Sequence, residues 1–167
     1  VYACMPTLAS QWLIDKDNGN AVKSYSSSNT SWSKRVTPFD EGAMKKLEGL
    51  YWDFTKRSCV RGIVFGDDLF LSKYEDFSKD AQRAYYNKFR RSLDVGIYRS
   101  RSKTKDFEEW KAEYLMKLTD RLMAKSQVFK PTAVSIRDIY ADAVMSGDPG
   151  DFAQDYKDAV DRYDAVA

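Results

Sequence analysis

The octapeptide Arg61-Gly-Ile-Val-Phe-Gly-Asp-Asp68 limits the folds open to this chain more than any other stretch, because a short apolar run ends abruptly in two carboxylates. The run reads as a buried strand, and a buried strand that delivers charge at its C-terminal end is a common way for α/β proteins to build a reactive site. Side chains alternate along a strand, so Ile63 and Phe65 are expected to pack against helices while Val64 and Gly66 face a barrel interior or cleft. Continued one step further, the alternation puts Asp68 on the cleft side for direct chemistry. Asp67 is then placed to orient it or to contact substrate. Gly66 leaves space for a ligand or a neighbouring strand, although a bulge explains the same glycine. For both aspartates the alternative is capping of the turn that follows the strand.

Around this segment the chain alternates in period. Residues 1–5 read as a strand stopped by Pro6. Residues 15–34 are rich in Asp, Asn, Ser and Gly and predict a long turn-rich loop, with a hairpin excursion near residues 21–25. Pro38 opens a helix whose apolar positions Met44, Leu47, Leu50, Tyr51 and Phe54 recur three and four apart. A second helix begins at Ser78, a good N-cap, and carries Ala81, Tyr85, Phe89 and Leu93 on one face. A basic connection over residues 96–105 leads to a third helix with Phe107, Trp110, Tyr114, Leu118 and Leu122 on its stripe. Residues 132–140 return to strand composition, residues 146–150 form a turn, and Phe152, Tyr156, Val160 and Tyr163 mark a last helix. This order predicts an α/β fold, a partial (β/α) barrel with parallel strands and crossover helices. With 167 residues the chain suffices for one domain, 1–167, whereas a complete barrel needs about 250, so the domain is expected to be a segment of a larger barrel.

Composition removes several functions. A net charge of only +2, from 27 basic and 25 acidic residues, gives no mandate for nucleic acid. The cluster Arg99, Arg101, Lys103 and Lys105 reads as a solvated loop, with contact to an anionic partner as the alternative. Two cysteines, Cys4 and Cys59, are too few for a disulfide scaffold, belong to no metal-spacing motif, and read as buried small side chains. The absence of histidine excludes a His-based triad and most catalytic zinc sets within the chain. Carboxylates must then carry acid-base chemistry, and no cofactor or metal is expected. No apolar run is long enough to span a membrane. No segment has the form of a signal peptide, which leaves export open because such a segment is removed on maturation.

Chemistry at glycosidic bonds suits this inventory, since departure of the leaving group needs a protonated carboxyl and the cationic transition state favours a nearby carboxylate. Trp12, Tyr25, Trp32 and Tyr74 occur in or beside loops, where flat faces stack on sugars or anchor the loop. Trp52 and Trp110 lie on helices and read as core. Tyr140, at a strand end, either donates to substrate or caps the core.

The segments Val1-Tyr-Ala-Cys-Met-Pro6, Arg61-Gly-Ile-Val-Phe-Gly-Asp-Asp68, Leu71-Ser-Lys-Tyr-Glu-Asp76, Lys130-Pro-Thr-Ala133 and Arg137-Asp-Ile-Tyr-Ala141 carry a resemblance. In this order they resemble the C-terminal glycoside hydrolase domain of the poly-β-1,6-N-acetylglucosamine deacetylase and hydrolase family of bacterial biofilm export. The resemblance implies a (β/α)-barrel hydrolase acting on partly deacetylated β-1,6-linked glucosamine polymer. It also implies a periplasmic, outer-membrane-associated or extracellular setting, and a deacetylase domain or further barrel segment as partner. It places the family's acid pair on Asp67 and Asp68, one of them the general acid, with the substrate's N-acetyl group assisting as nucleophile. Tyr74, Glu75, Arg137, Asp138 and Tyr140 fall in the matching loop and strand end, with roles in substrate binding or, for Arg137, in orienting an aspartate; for Glu75 and its neighbour Asp76, capping and loop stabilisation are equally open. Three positions depart from the family pattern: Gly66 replaces a histidine, Cys4 a tryptophan and Asp138 an asparagine. The added charge at Asp138 implies a shift toward a more cationic, deacetylated polymer.

Two other readings stay open. One is a catalytically weak or inactive carbohydrate-binding module for the same polymer, suggested by Gly66 and the short chain. The other is a structural or interaction fragment. A phosphate-processing enzyme lacks its glycine-rich loop.

Overall fold

The computed structural model describes residues 1–16, 18–25, 34–154 and 156–167. Trp32 and much of the turn-rich loop lie outside the described residues. Four strands, β1 (Tyr2–Met5), β2 (Gly62–Phe65), β3 (Val134–Arg137) and β4 (Ala165–Val166), form one sheet in the order β1-β2-β3-β4. All three pairings are parallel. Parallel neighbours require crossovers, and helices supply them. Helix α1 (Glu41–Arg57) joins β1 to β2, while α2 (Lys79–Phe89) and α3 (Arg101–Gln127) join β2 to β3. Three short helices, α4 (Ala141–Ser146), α5 (Pro149–Phe152) and α6 (Tyr156–Arg162), lead to β4. The expected α/β class with parallel strands and crossover helices is therefore the observed one, and its geometry is that of a partial (β/α) barrel.

Local chemistry sets the element boundaries. Asp40 caps α1 by accepting from the amides of Gly42 and Ala43, so the helix starts just after the Pro38 turn. Ser78 caps α2 through the Ala81 amide, as the sequence predicts, and Arg90 ends that helix in the left-handed region. Leu93 therefore lies beyond α2. Helix α3 begins at Arg101, inside the expected basic loop: residues 101–106 have no apolar period, yet ion pairs such as Arg91 to Asp106 (2.6 Å) fix this polar turn. The last expected helix is divided, because the chain leaves α5 at Ala153, at φ +52°, before α6 begins, while the expected turn holds Gly147, whose φ of +65° closes α4. Strand β4, at two residues, is too short to give a periodic signal. The legs of the turn-rich loop pair around an antiparallel bridge from Ala21 to Val36.

Register decides what each face of the sheet does. Met5, Phe65 and Arg137 align across the strands, as do Ala3, Ile63 and Ser135. On this face Ile63 and Phe65 are completely buried under the helices. The opposite face, with Cys4, Val64 and Ile136 in register, is half-covered or exposed. Gly62 sits where three strands converge: a β-carbon there would stand 2.4 Å from the Val134 carbonyl oxygen.

The core between α1 and α3 is aromatic. Phe39 stacks on Trp110 at 4.6 Å, and Tyr85 meets Trp110 edge-on at 5.4 Å. Phe107 is fully buried against Tyr85 and Phe77. Phe107→Ala is accordingly expected to cost about 3–5 kcal/mol of stability, whereas Tyr86→Ala, on the exposed side of α2, should stay within about 0.5 kcal/mol. Urea unfolding midpoints check the pair.

Candidate functional site

Strand β2 ends at Phe65 and the chain turns at once, with the Leu69 amide returning to the Gly66 carbonyl at 3.4 Å. The alternation of the strand therefore does not extend to the aspartates. Asp67 is exposed at the turn, while Asp68 is folded back and buried. Asp68 accepts three hydrogen bonds from the segment after β1: Oδ2 from the Thr7 and Ala9 amides, both at 2.8 Å, and Oδ1 from the Thr7 hydroxyl at 2.7 Å. These bonds join the ends of β1 and β2. Gly66 makes room for this arrangement, since a β-carbon on it would lie 3.2 Å from Asp68 Oδ1.

Buried cations hold the rest of the loop. Arg137, at the end of β3, donates through Nη1 to the carbonyls of Gly66 (2.7 Å) and Asp138 (2.8 Å), and through Nη2 to that of Leu69 (2.6 Å). Burial draws its pKa down, opposed by Tyr163, Asp68, Asp138 and Asp67, so it also serves as the local counter-charge to the acid pair. Arg35 donates to the Phe70 carbonyl, lies 4.0 Å over the Phe70 ring and pairs with Glu75 at 2.7 Å. Both members of that pair are buried. Lys111, delivered from α3 and wholly buried, donates to the carbonyls of Ser72 and Glu75. Asp76 is buried too, accepting from the amides of Lys23 and Ser78, and burial raises its pKa.

The candidate residues therefore separate into three groups. Asp67, Asp68, Asp138 and Arg137 gather at the C-terminal edge of the sheet, around Cys4. Partial burial first, and then Asp68, Asp138 and Asp67, raise the Cys4 thiol, which disfavours a nucleophilic thiolate there. Glu75 belongs instead to the buried Arg35 pair, away from solvent. Tyr74 is partly exposed and packs edge-on against Tyr98 at 5.9 Å, with Tyr25 beside it. Tyr140 stacks on Phe70 at 4.2 Å and donates to Asp142. Trp12 is exposed on the loop after β1.

Both cysteines are exposed, which corrects the expectation that they are small buried side chains. For Cys4 the cause is register: it shares the less covered face with Val64 and Ile136. Among the described residues no group of three or more Cys, Asp or Glu converges in a geometry able to hold a metal ion, and no described helix is long and apolar enough to cross a membrane. A groove of about 650 Å³ lies elsewhere, along α3 between Glu108, Glu113 and Asp120 on one side and Asp148, Gly150 and Arg162 on the other. Sequence reasoning missed Arg35, Lys111 and Thr7. Only Lys111 left a signal, since it stands four residues after Phe107 on the buried stripe of α3.

The fold is similar to the PgaB (BpsB) glycoside hydrolase domain from Bordetella bronchiseptica, with a TM-score of 0.82 and 24% identity, over 100% of this chain and 50% of that one. The poly-beta-1,6-N-acetyl-D-glucosamine N-deacetylases of Escherichia coli K12 and O157:H7 are each 32% identical over 138 residues, which is 80% of this chain. The chain spans about a fifth (20%) of the length of these curated relatives. All of it, residues 1–167, matches the sequence family described as hypothetical glycosyl hydrolase family 13, GHL13, and with a parallel sheet that presents an acid pair at its C-terminal edge, the chain belongs to that family.

Proposed function

We propose that the chain hydrolyses β-1,6 glycosidic bonds inside partly deacetylated poly-N-acetylglucosamine, with Asp67 as the proton-transferring acid and Asp68 as the carboxylate that fixes its turn. One observation carries the division of roles: adjacent aspartates occupy opposite environments, one exposed and one buried with three donors. Proton transfer to a bridging oxygen needs a carboxyl that a sugar can reach, and Asp67 meets that requirement. Asp68 has its acceptor capacity engaged by Thr7 and Ala9 and holds the two strand ends in register.

The surroundings support a sugar polymer bearing free amines. Asp67, Asp68 and Asp138 surround Cys4 with negative charge, and Arg137 is drawn inward to carbonyls rather than outward to ligand. Tyr74 and Trp12, exposed on the loops after β2 and β1, offer flat faces for pyranose rings. The proposal takes an N-acetyl group of the substrate as the nucleophile, as the family resemblance implies, and leaves Asp138 to set the charge of the rim beside Asp67. The same reading includes an exported setting, a deacetylase domain as companion, and further barrel strands that close over the half-covered face of Cys4, Val64 and Ile136.

The test is mass analysis of partly deacetylated polymer after incubation with the protein. Shortened oligomers are expected from the intact chain, and Asp67→Asn should lower their rate of appearance by at least about 10²-fold with an unchanged unfolding midpoint. Binding without shortening would establish the carbohydrate-binding module instead. Asp68→Asn, which exchanges one acceptor for a donor against the Thr7 and Ala9 amides, should reduce stability by about 1–3 kcal/mol as well as activity. Urea unfolding of the two variants side by side separates the chemical role from the anchoring one.

A further inference from the structure

We propose that Lys111 is a positioning residue for the loop after β2, its buried ammonium setting the course of residues 72–75 and, through them, the placement of Tyr74 and the acid turn. As a statement about turnover this rests on the hydrolase reading; as a statement about loop geometry it does not.

Lys111 occupies a position that an apolar side chain would fill at lower cost. It lies on the buried stripe of α3 between Trp110 and Leu115, has no exposed surface, and its Nζ is 4.5 Å over the Phe107 ring. A lysine there must lose hydration, which is unfavourable unless its protons are all usefully placed. Two of them are directed at the loop, with Nζ 2.7 Å from the Ser72 carbonyl oxygen and 2.5 Å from that of Glu75, and the Phe107 ring lies beside the same nitrogen. The Glu75 amide in turn reaches the Ser72 carbonyl at 3.0 Å, and Glu75 Oε2 accepts the Ser72 amide at 3.0 Å, so the ammonium closes a turn with Tyr74 at its apex. From the side of Tyr74, the Tyr25 amide bonds its carbonyl at 2.9 Å.

The charges facing Lys111 come from three elements. Glu108 lies on α3 itself, Glu75 and Asp76 on the loop, and Arg35 on the segment before α1. Burial outweighs the three carboxylates and lowers the Lys111 pKa to about 7. An unfolded lysine titrates near 10.4, so between about pH 7 and 10.4 the unfolded chain binds more protons than the folded one. Stability contributed through this group therefore rises with pH across that window.

Hydrogen exchange, urea unfolding and polymer cleavage of the wild type, Lys111→Met, Lys111→Gln and Lys111→Arg form the test. In Lys111→Met the amides of residues 71–77 should exchange at least about tenfold faster while those of α1 and β2 keep their protection, with kcat reduced about tenfold and KM within about threefold. Lys111→Arg should restore much of both. The urea midpoint of the wild type should climb between pH 7 and 10, and that climb should be missing in Lys111→Met. If Lys111→Met does not fold, Lys111→Gln and Lys111→Arg carry the comparison. Unchanged loop exchange in a folded variant, or faster exchange spread evenly over the protein, would overturn the proposal. A wild type that never shortens the polymer removes the hydrolase reading, and the exchange pattern still decides the role of Lys111.

Discussion

Three buried cations hold one irregular loop by its carbonyl oxygens, and the acid turn depends on them. Between the end of β2 and the start of α2 the backbone has neither ladder nor helix to satisfy it, yet much of it lies below the surface. Every such carbonyl needs a donor. Arg137 covers Gly66 and Leu69, Arg35 covers Phe70, and Lys111 covers Ser72 and Glu75. Tyr98 donates to the Lys73 carbonyl, and Gln154 adds a second bond to Leu69. Guanidinium suits the crowded positions because its planar fork presents several fixed donors, while the single ammonium suffices where two carbonyls converge.

This arrangement explains why adjacent aspartates end in opposite environments. A strand running straight into solvent would expose both. Arg137 instead pulls the carbonyls of residues 66 and 69 toward β3, and the turn so formed directs Asp68 back to Thr7 and Ala9, leaving Asp67 outside. The cations are matched on the other side by Glu75, paired with Arg35 at 2.7 Å. Removing one partner of a buried pair costs about 3–5 kcal/mol, so the loop is a committed element of the fold despite having no regular structure.

That commitment also marks what the sequence could reveal. The strand at residues 61–65, the Ser78 cap and the apolar stripes of α1 and α3 follow from local periodicity, and they were legible. Alternation correctly separated Ile63 and Phe65 from Val64 but gave no warning that the chain turns immediately after Gly66. Glu75 reads as a loop acid because its partner lies 40 positions away, at Arg35, just past a segment whose composition says only turn. Lys111 was legible in principle, by its spacing from Phe107, but a lone lysine on an apolar stripe does not name the carbonyls it will meet. A cysteine in a short strand is usually buried, whereas the face that Cys4 takes here is settled by register with Val64 and Ile136, which no local pattern announces.

The electrostatics of the sheet edge follow from the same division. If Arg137 pointed outward, it would neutralise the rim and favour anionic ligands. Held by backbone oxygens, it compensates Asp68 from beneath and leaves the accessible side to Asp67 and Asp138. Burial and these carboxylates together push the Cys4 thiol pKa up, which disfavours a thiolate at that edge. The site thus combines an internally neutralised base with a rim of negative charge, an arrangement that attracts cationic groups over neutral ones.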